Sequence, residues 1–167
     1  QSDGFVSEEG WDITGRGWYG CITGKKTVLT EPYVDSSTGK LILSAASPVY
    51  DDATGEVLGA VGMDISLDHM TEIMSEYKIG RKGYMLLLSE NGTFLYHPQQ
   101  DIIQKNIKDV NVSENVQNAI ASKKNEFLKY KVDGLTKYGS LQCAGDTGYV
   151  VLSNMPTSEY YSMLIAM

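Results

Sequence analysis

The alternation of apolar and polar positions is clearest between residues 27 and 64. "TVLTEPYVD" reads as extended chain, with Pro32 suited to a strand start or an edge. "SSTGK" at 36–40 is a turn, "LILSAASPVYD" is a strand, "DDATGE" turns again, and "VLGAVGMDI" is a third strand. The period then changes. In "SLDHMTEIMSEYK", Leu67, Met70, Ile73, Met74 and Tyr77 fall at helical spacing behind Ser66, a candidate N-cap. "IGRKG" breaks that helix, which reads as a connector between a module over residues 1–78 and a second over 79–167.

In the second half the strand period returns. "YMLLLSENGTFLYHP" is two strands around Asn91–Gly92, a strong hairpin signal. "NVSENVQNAIASKK" offers a short helix through Val116 and Ile120. "NEFLKYKV" alternates into a turn at Asp133–Gly134, "LTKYGSLQCAG" follows, and "TGYVVLSNMP" supplies a last strand. Strand–turn–strand blocks with few helices, twice over, predict an α+β fold of two modules, each an antiparallel sheet flanked by helices.

Side chains alternate along a strand, so in "VLGAVGMDI" Val57, Val61 and Met63 share a bulky face suited to helix packing. Leu58, Ala60, Gly62 and Asp64 share the other. That face narrows to small residues and then places a carboxylate, leaving room for something that is not protein. Asp64 also has an ordinary reading, as a cap on the following helix or a partner for a lysine. Tyr33 and Asp35 likewise share a face, and Asp35 heads "DSSTG", where an aspartate commonly bonds its own turn.

Composition removes several function classes. The chain has 167 residues and a net charge of −7, with its basic residues scattered, which argues against a nucleic-acid footprint. Cys21 and Cys143 are the only cysteines and have no metal-ligand spacing around them, so neither a zinc site nor a disulfide is expected, and no cofactor is implied. No nucleophile elbow, base–nucleophile pair or phosphate loop is present, so an enzyme is not expected. A hydrolase working through carboxylates among Asp35, Asp51 and Asp64 is the remote alternative. The chain opens in polar sequence at Gln1 and closes on "YYSMLIAM", so both ends read as cut from a longer polypeptide.

"GWDITGRGWYG" at 10–20 then becomes informative. Arg16 supplies the planar fork suited to a carboxylate, and the indoles of Trp11 and Trp18 add N–H donors and apolar walls. Taken alone, the loop could equally hold a surface arginine stacked on a tryptophan. Taken with Asp35 and Asp64, it makes a site of separated charges, which fits a zwitterion such as an α-amino acid.

The combined stretch "RGWYG…TEPYVDSSTGKLILSAASPVYDDATGEVLGAVGMDIS" resembles the double-Cache (dCache_1) sensor domains of bacterial methyl-accepting chemotaxis receptors, sensor histidine kinases and nucleotide-cyclase receptors. The shared pattern is an R-x-W-Y loop, a P-Y-x-D strand, an S-x-P-V-x-D strand and a G-x-x-x-G-V-x-G-x-D-I strand followed by a helix. "GYMLLLSENGTFLYHP" is similar to the opening hairpin of the second module.

The resemblance implies two PAS-like modules, a membrane-distal one that binds ligand and a smaller membrane-proximal one. It also implies a long N-terminal helix, missing here, a transmembrane helix at each end of the parent domain, an extracellular or periplasmic location and a homodimeric receptor. In the amino-acid-binding subset, Trp11, Arg16 and Trp18 take the ligand carboxylate, while Tyr19, Asp35 and Asp64 serve the ammonium. Tyr33 is added to that set from the face it shares with Asp35. The subset usually has tyrosine at the first position. Trp11 offers an N–H on a larger ring instead, which implies either a different choice among amino acids or a related polar metabolite as ligand. His97, in "YHPQQ", is expected to make a structural hydrogen bond to its loop, and His69 to face solvent.

Overall fold

The computed structural model describes residues 9–165. Gln1, read above as lying inside the distal module, and Met167 at the end of the apolar tail fall outside them. The chain forms two compact units that divide after Asp68, earlier than the 78/79 boundary drawn from the sequence.

The first unit is built on a pair of ten-residue strands, β3 (Leu41–Tyr50) and β4 (Val57–Ser66). β4 lies antiparallel to β3, and two short strands, β1 (Val28–Leu29) and β2 (Tyr33–Val34), also pair antiparallel with β3. The predicted extended run at 27–35 is therefore interrupted, and Pro32 sits in the gap. Within "GWDITGRGWYG", read from sequence as irregular, a 3-10 turn at Gly17–Tyr19 runs into a short helix, α1 (Gly20–Gly24). Cys21, fully buried, anchors it to the unit. Lys25, at φ 50, ends the helix in the left-handed conformation.

The bulky face of β4 departs from expectation. Val61 and Met63 are 62% and 69% exposed, so among the described residues no helix covers that face at these positions. Ser66 is the last residue of β4, and α2 (Leu67–Ser75) follows it directly, two residues shorter at its end than the apolar spacing implied. His69 is exposed on this helix, as expected.

The second unit is a five-stranded antiparallel sheet in the order β6 (Phe94–Tyr96), β5 (Tyr84–Leu88), β9 (Val150–Pro156), β8 (Leu135–Cys143), β7 (Glu126–Val132). Its core joins Leu86, Leu88, Phe94, Leu128, Leu141, Val150 and Leu152 from the sheet to Val116, Ala119 and Ile120 of α3 (Glu114–Ser122). Val132 pairs with Leu135 across a two-residue loop in which Asp133 and Gly134 have φ of 48° and 77°. Two positive φ angles give the turn whose twist matches the flanking strands, hence the Asp–Gly pair. α4 (Thr157–Ile165) closes the described chain. Its Glu159 accepts hydrogen bonds from the Arg81 and Lys82 backbone N–H groups at 2.5 and 2.9 Å, which draws its carboxyl below the usual range.

His97 behaves as the sequence suggested. It is buried, and its Nδ1 accepts from the Gln99 N–H at 2.9 Å. Burial is the larger influence on the ring and holds its pKa below the ordinary value. Cys21 and Cys143 are both free thiols.

Candidate functional site

The β3–β4 register builds the floor of a cavity. Ser44 stands opposite Asp64, and Ala46 stands opposite Gly62. Residues directly opposite in an antiparallel pair share a face, so the short side chains of Ala46, Ala60 and Gly62 lie together beside Ser44 and Asp64. The resulting space is about 370 Å³, walled by Trp11, Ile13, Arg16, Trp18, Tyr33, Asp35 and Ser36 above that floor. It lies within the range usual for small-molecule sites, about 300–1,000 Å³. Room left by alanine and glycine was legible in sequence; Ser44 was not.

Arg16 is placed by the 3-10 turn. Its backbone is extended at φ −83° and ψ 138°, and its carbonyl accepts from the Tyr19 N–H at 2.9 Å. The guanidinium lies over the Trp11 ring, 5.1 Å from the centroid. Among the described residues Arg16 forms no ion pair. The Trp11 indole N–H is buried and has no hydrogen-bond partner among the described residues. A buried donor left unsatisfied costs about 1–3 kcal/mol, which an acceptor placed against it would recover.

The opposite side is acceptor-rich. The Ser44 hydroxyl donates to Asp64 Oδ1 at 2.5 Å and lies 2.6 Å from the Tyr33 hydroxyl. A carboxylate only accepts, so the chain runs from the Tyr33 O–H to Ser44 to Asp64. Burial, the largest influence, raises the Tyr33 pKa; the Ser44 hydrogen bond opposes it, and Asp64 adds to it. Tyr33 therefore stays a protonated donor at neutral pH. Ser44 is itself fixed, because its backbone N–H donates to Thr30 Oγ1 at 2.9 Å and its carbonyl accepts from the Thr30 N–H at 3.0 Å.

Two predicted site residues are placed differently. Asp35 lies on the wall, but its carboxylate accepts from both the hydroxyls and the backbone N–H groups of Ser37 and Thr38. It serves its own turn, as the local reading of "DSSTG" foresaw. Asp51 does the same with Ala53 and Thr54. Tyr19 is absent from the wall, and its ring packs on Trp18 at 6.1 Å. Neighbouring residues in a 3-10 turn point in different directions, which turns Tyr19 away from the direction of Trp18.

The Asp35 bonds have a pH consequence. The Thr38 hydroxyl first, then the Ser37 hydroxyl, draw its carboxyl from 3.8 to about 2. A folded value below the unfolded one contributes stability above the unfolded pKa and loses it as pH falls through the folded value. The Asp35 carboxyl resonance is therefore expected to titrate near pH 2. Asp35→Ala should flatten the loss of stability between pH 4 and pH 2 in acid-unfolding curves. A midpoint at the ordinary aspartate value would contradict the turn geometry.

Among the described residues no helix is long and apolar enough to cross a membrane, and no cluster of potential metal ligands occurs. Comparison with known proteins gives the context. The chain is 33% identical to the methyl-accepting chemotaxis protein McpA of Pseudomonas putida over 94% of its own length and 26% of that protein's. It thus spans about a quarter of the length of such relatives. The ligand-binding domain of the amino acid chemoreceptor PctB of Pseudomonas aeruginosa, solved with L-Arg, superposes with a TM-score of 0.71 at 28% identity, over 93% of this chain and 65% of that one. The extracellular domain of the histidine kinase mmHK1S-Z3 superposes at 0.75 with 26% identity, over 87% of this chain and 54% of that one. The PctB domain is a chemoreceptor's ligand-binding domain, and the chain is a sensor domain, not an enzyme. The Cache domain family (dCache_1) matches it over residues 2–164, with the cavity inside that span, and the chain belongs to that family.

Proposed function

We infer that the chain is the ligand-sensing domain of a transmembrane chemoreceptor and binds an α-amino acid in the cavity of its first unit. That unit is the membrane-distal module, the second is membrane-proximal, and both lie outside the cytoplasm. The ligand carboxylate sits between the Arg16 guanidinium and the Trp11 N–H, and its ammonium sits on Asp64, with Trp18 and Tyr33 beside it. The observation carrying this reading is that Arg16, without an ion pair among the described residues, and the Asp64 carboxylate line one cavity of about 370 Å³. Amino acids bound by the similar chemoreceptor domains support it. The likeness to a histidine kinase sensor keeps a kinase output as the second reading. In either receptor the ligand shifts the signalling equilibrium only by its differential affinity for the two states.

The test is a melting screen of the 167-residue protein against the standard L-amino acids. At about a hundred times Kd a ligand adds about 2.7 kcal/mol. For a chain of this size that raises Tm by about 5–10 °C, in a subset of the amino acids. Uniform silence across the amino acids and their decarboxylated or amidated relatives would sink the reading.

A further inference from the structure

A second cavity lies wholly in the second unit, with a volume of about 300 Å³. Its wall is mostly apolar, from residues such as Leu86, Ile102, Val116 and Leu152, and one end is polar. At that end stands Lys137, on the core face of β8 and only 5% exposed. Its Nζ donates to the Tyr84 hydroxyl at 2.6 Å and sits 4.1 Å from the Tyr84 ring centroid. Among the described residues no carboxylate stands at ion-pair distance from it. A lysine this enclosed is normally paired, because taking its charge out of water is costly.

The neighbours of Lys137 are donors too. Tyr84 uses an oxygen lone pair to accept from Lys137, so its own O–H proton is available. His97, edge-on to Tyr84 at 5.5 Å, accepts through Nδ1, which leaves Nε2 as the protonated nitrogen of the neutral ring. Asn154 lies between Tyr84 and Gly139 in the register of the same sheet. It is 2% exposed, and among the described residues neither polar atom of its amide has a partner. A buried cation and two spare donors line one apolar chamber, with the Asn154 amide next to them in the sheet.

We propose that this cavity is a second ligand site, taking a monocarboxylate with a compact apolar body. The carboxylate pairs with Lys137 and accepts from Tyr84 and His97, and the apolar body fills the space toward Ile102 and Leu152. Among the described residues Lys137 is the one cation lining the cavity and Asp133 the one carboxylate, so a dicarboxylate would bury an unpaired charge. The site is separate in residues and chemistry from the Arg16 cavity and stands whether or not that one binds amino acids.

Benzoate and hexanoate serve as probes, titrated calorimetrically into the 167-residue protein. Saturable binding is expected in the wild type and, undiminished, in Arg16→Ala. Lys137→Met should weaken it by at least about thirtyfold. Without ligand, that variant should melt higher than wild type, because a buried charge lacking a counter-ion is replaced by an apolar chain of similar shape. Ile102→Trp, filling the chamber, should abolish binding while the far-ultraviolet dichroism stays native. No saturable binding of either probe, binding lost in Arg16→Ala, or binding unaltered in Lys137→Met and Ile102→Trp would each overturn the proposal.

Discussion

Arg16→Ala is expected to weaken binding of the most stabilising L-amino acid by about a hundredfold or more while leaving the fold intact. Removing one partner of a desolvated, hydrogen-bonded charge pair costs about 3–5 kcal/mol, much of it from the charge left unpaired. Here the arginine is half-buried, stacks on Trp11 and has no carboxylate partner among the described residues. Its deletion therefore removes little that holds the empty protein together, and everything that neutralises a bound carboxylate. Arg16→Lys should fall between, because a lysine keeps the charge but loses the planar fork. Titration calorimetry with the same amino acid measures all three proteins. If Arg16→Ala binds as the wild type does, the cavity over β3 and β4 is not the site.

Much of this arrangement could be read from residue order. The alternation in "LILSAASPVYD" and "VLGAVGMDI" predicts the two long strands, and the run Ala60, Gly62, Asp64 predicts a hollow ending in a carboxylate. What stayed hidden depends on register. Ser44 looks like one small residue in an apolar strand, and only its position opposite Asp64 makes its hydroxyl the link from Tyr33. Tyr19 was misplaced for a local reason, since the turn geometry of Gly17–Tyr19 is invisible in a glycine-rich string. Asp35 had two legible roles, and its hydrogen bonds show that the turn takes its carboxylate. Lys137 does carry a signal in the residue order. In "LTKYGSLQC" it alternates with Gly139 and Leu141 on the inward face, whereas by composition it was counted with the scattered basic residues.

Gly83→Ala is expected to destabilise the protein by about 3 kcal/mol, the upper end of ordinary overpacking. A Cβ at Gly83 would meet the carbonyl oxygens of Asn154 and Ile79 well inside contact distance, and Met155 Cβ at 2.9 Å. Two of these obstacles are backbone, so no rotamer change relieves them. Nor can the turn shift. Ile79 and Gly83 bridge it, Arg81 and Lys82 donate to Glu159, and Gly80, at φ +63°, lies directly against that carboxylate. Moving the turn breaks the Glu159 bonds; keeping it displaces β9 at Asn154. Gly59→Ala is the matched control, since an added Cβ there meets nothing within 4 Å and the backbone is not left-handed. It should change stability by no more than about 0.5 kcal/mol. Urea unfolding of both variants gives the answer, the loss appearing as a lower midpoint at unchanged slope. Equal midpoints for Gly83→Ala and Gly59→Ala would mean that the segment before β5 yields, and that Glu159 does not hold it against α4.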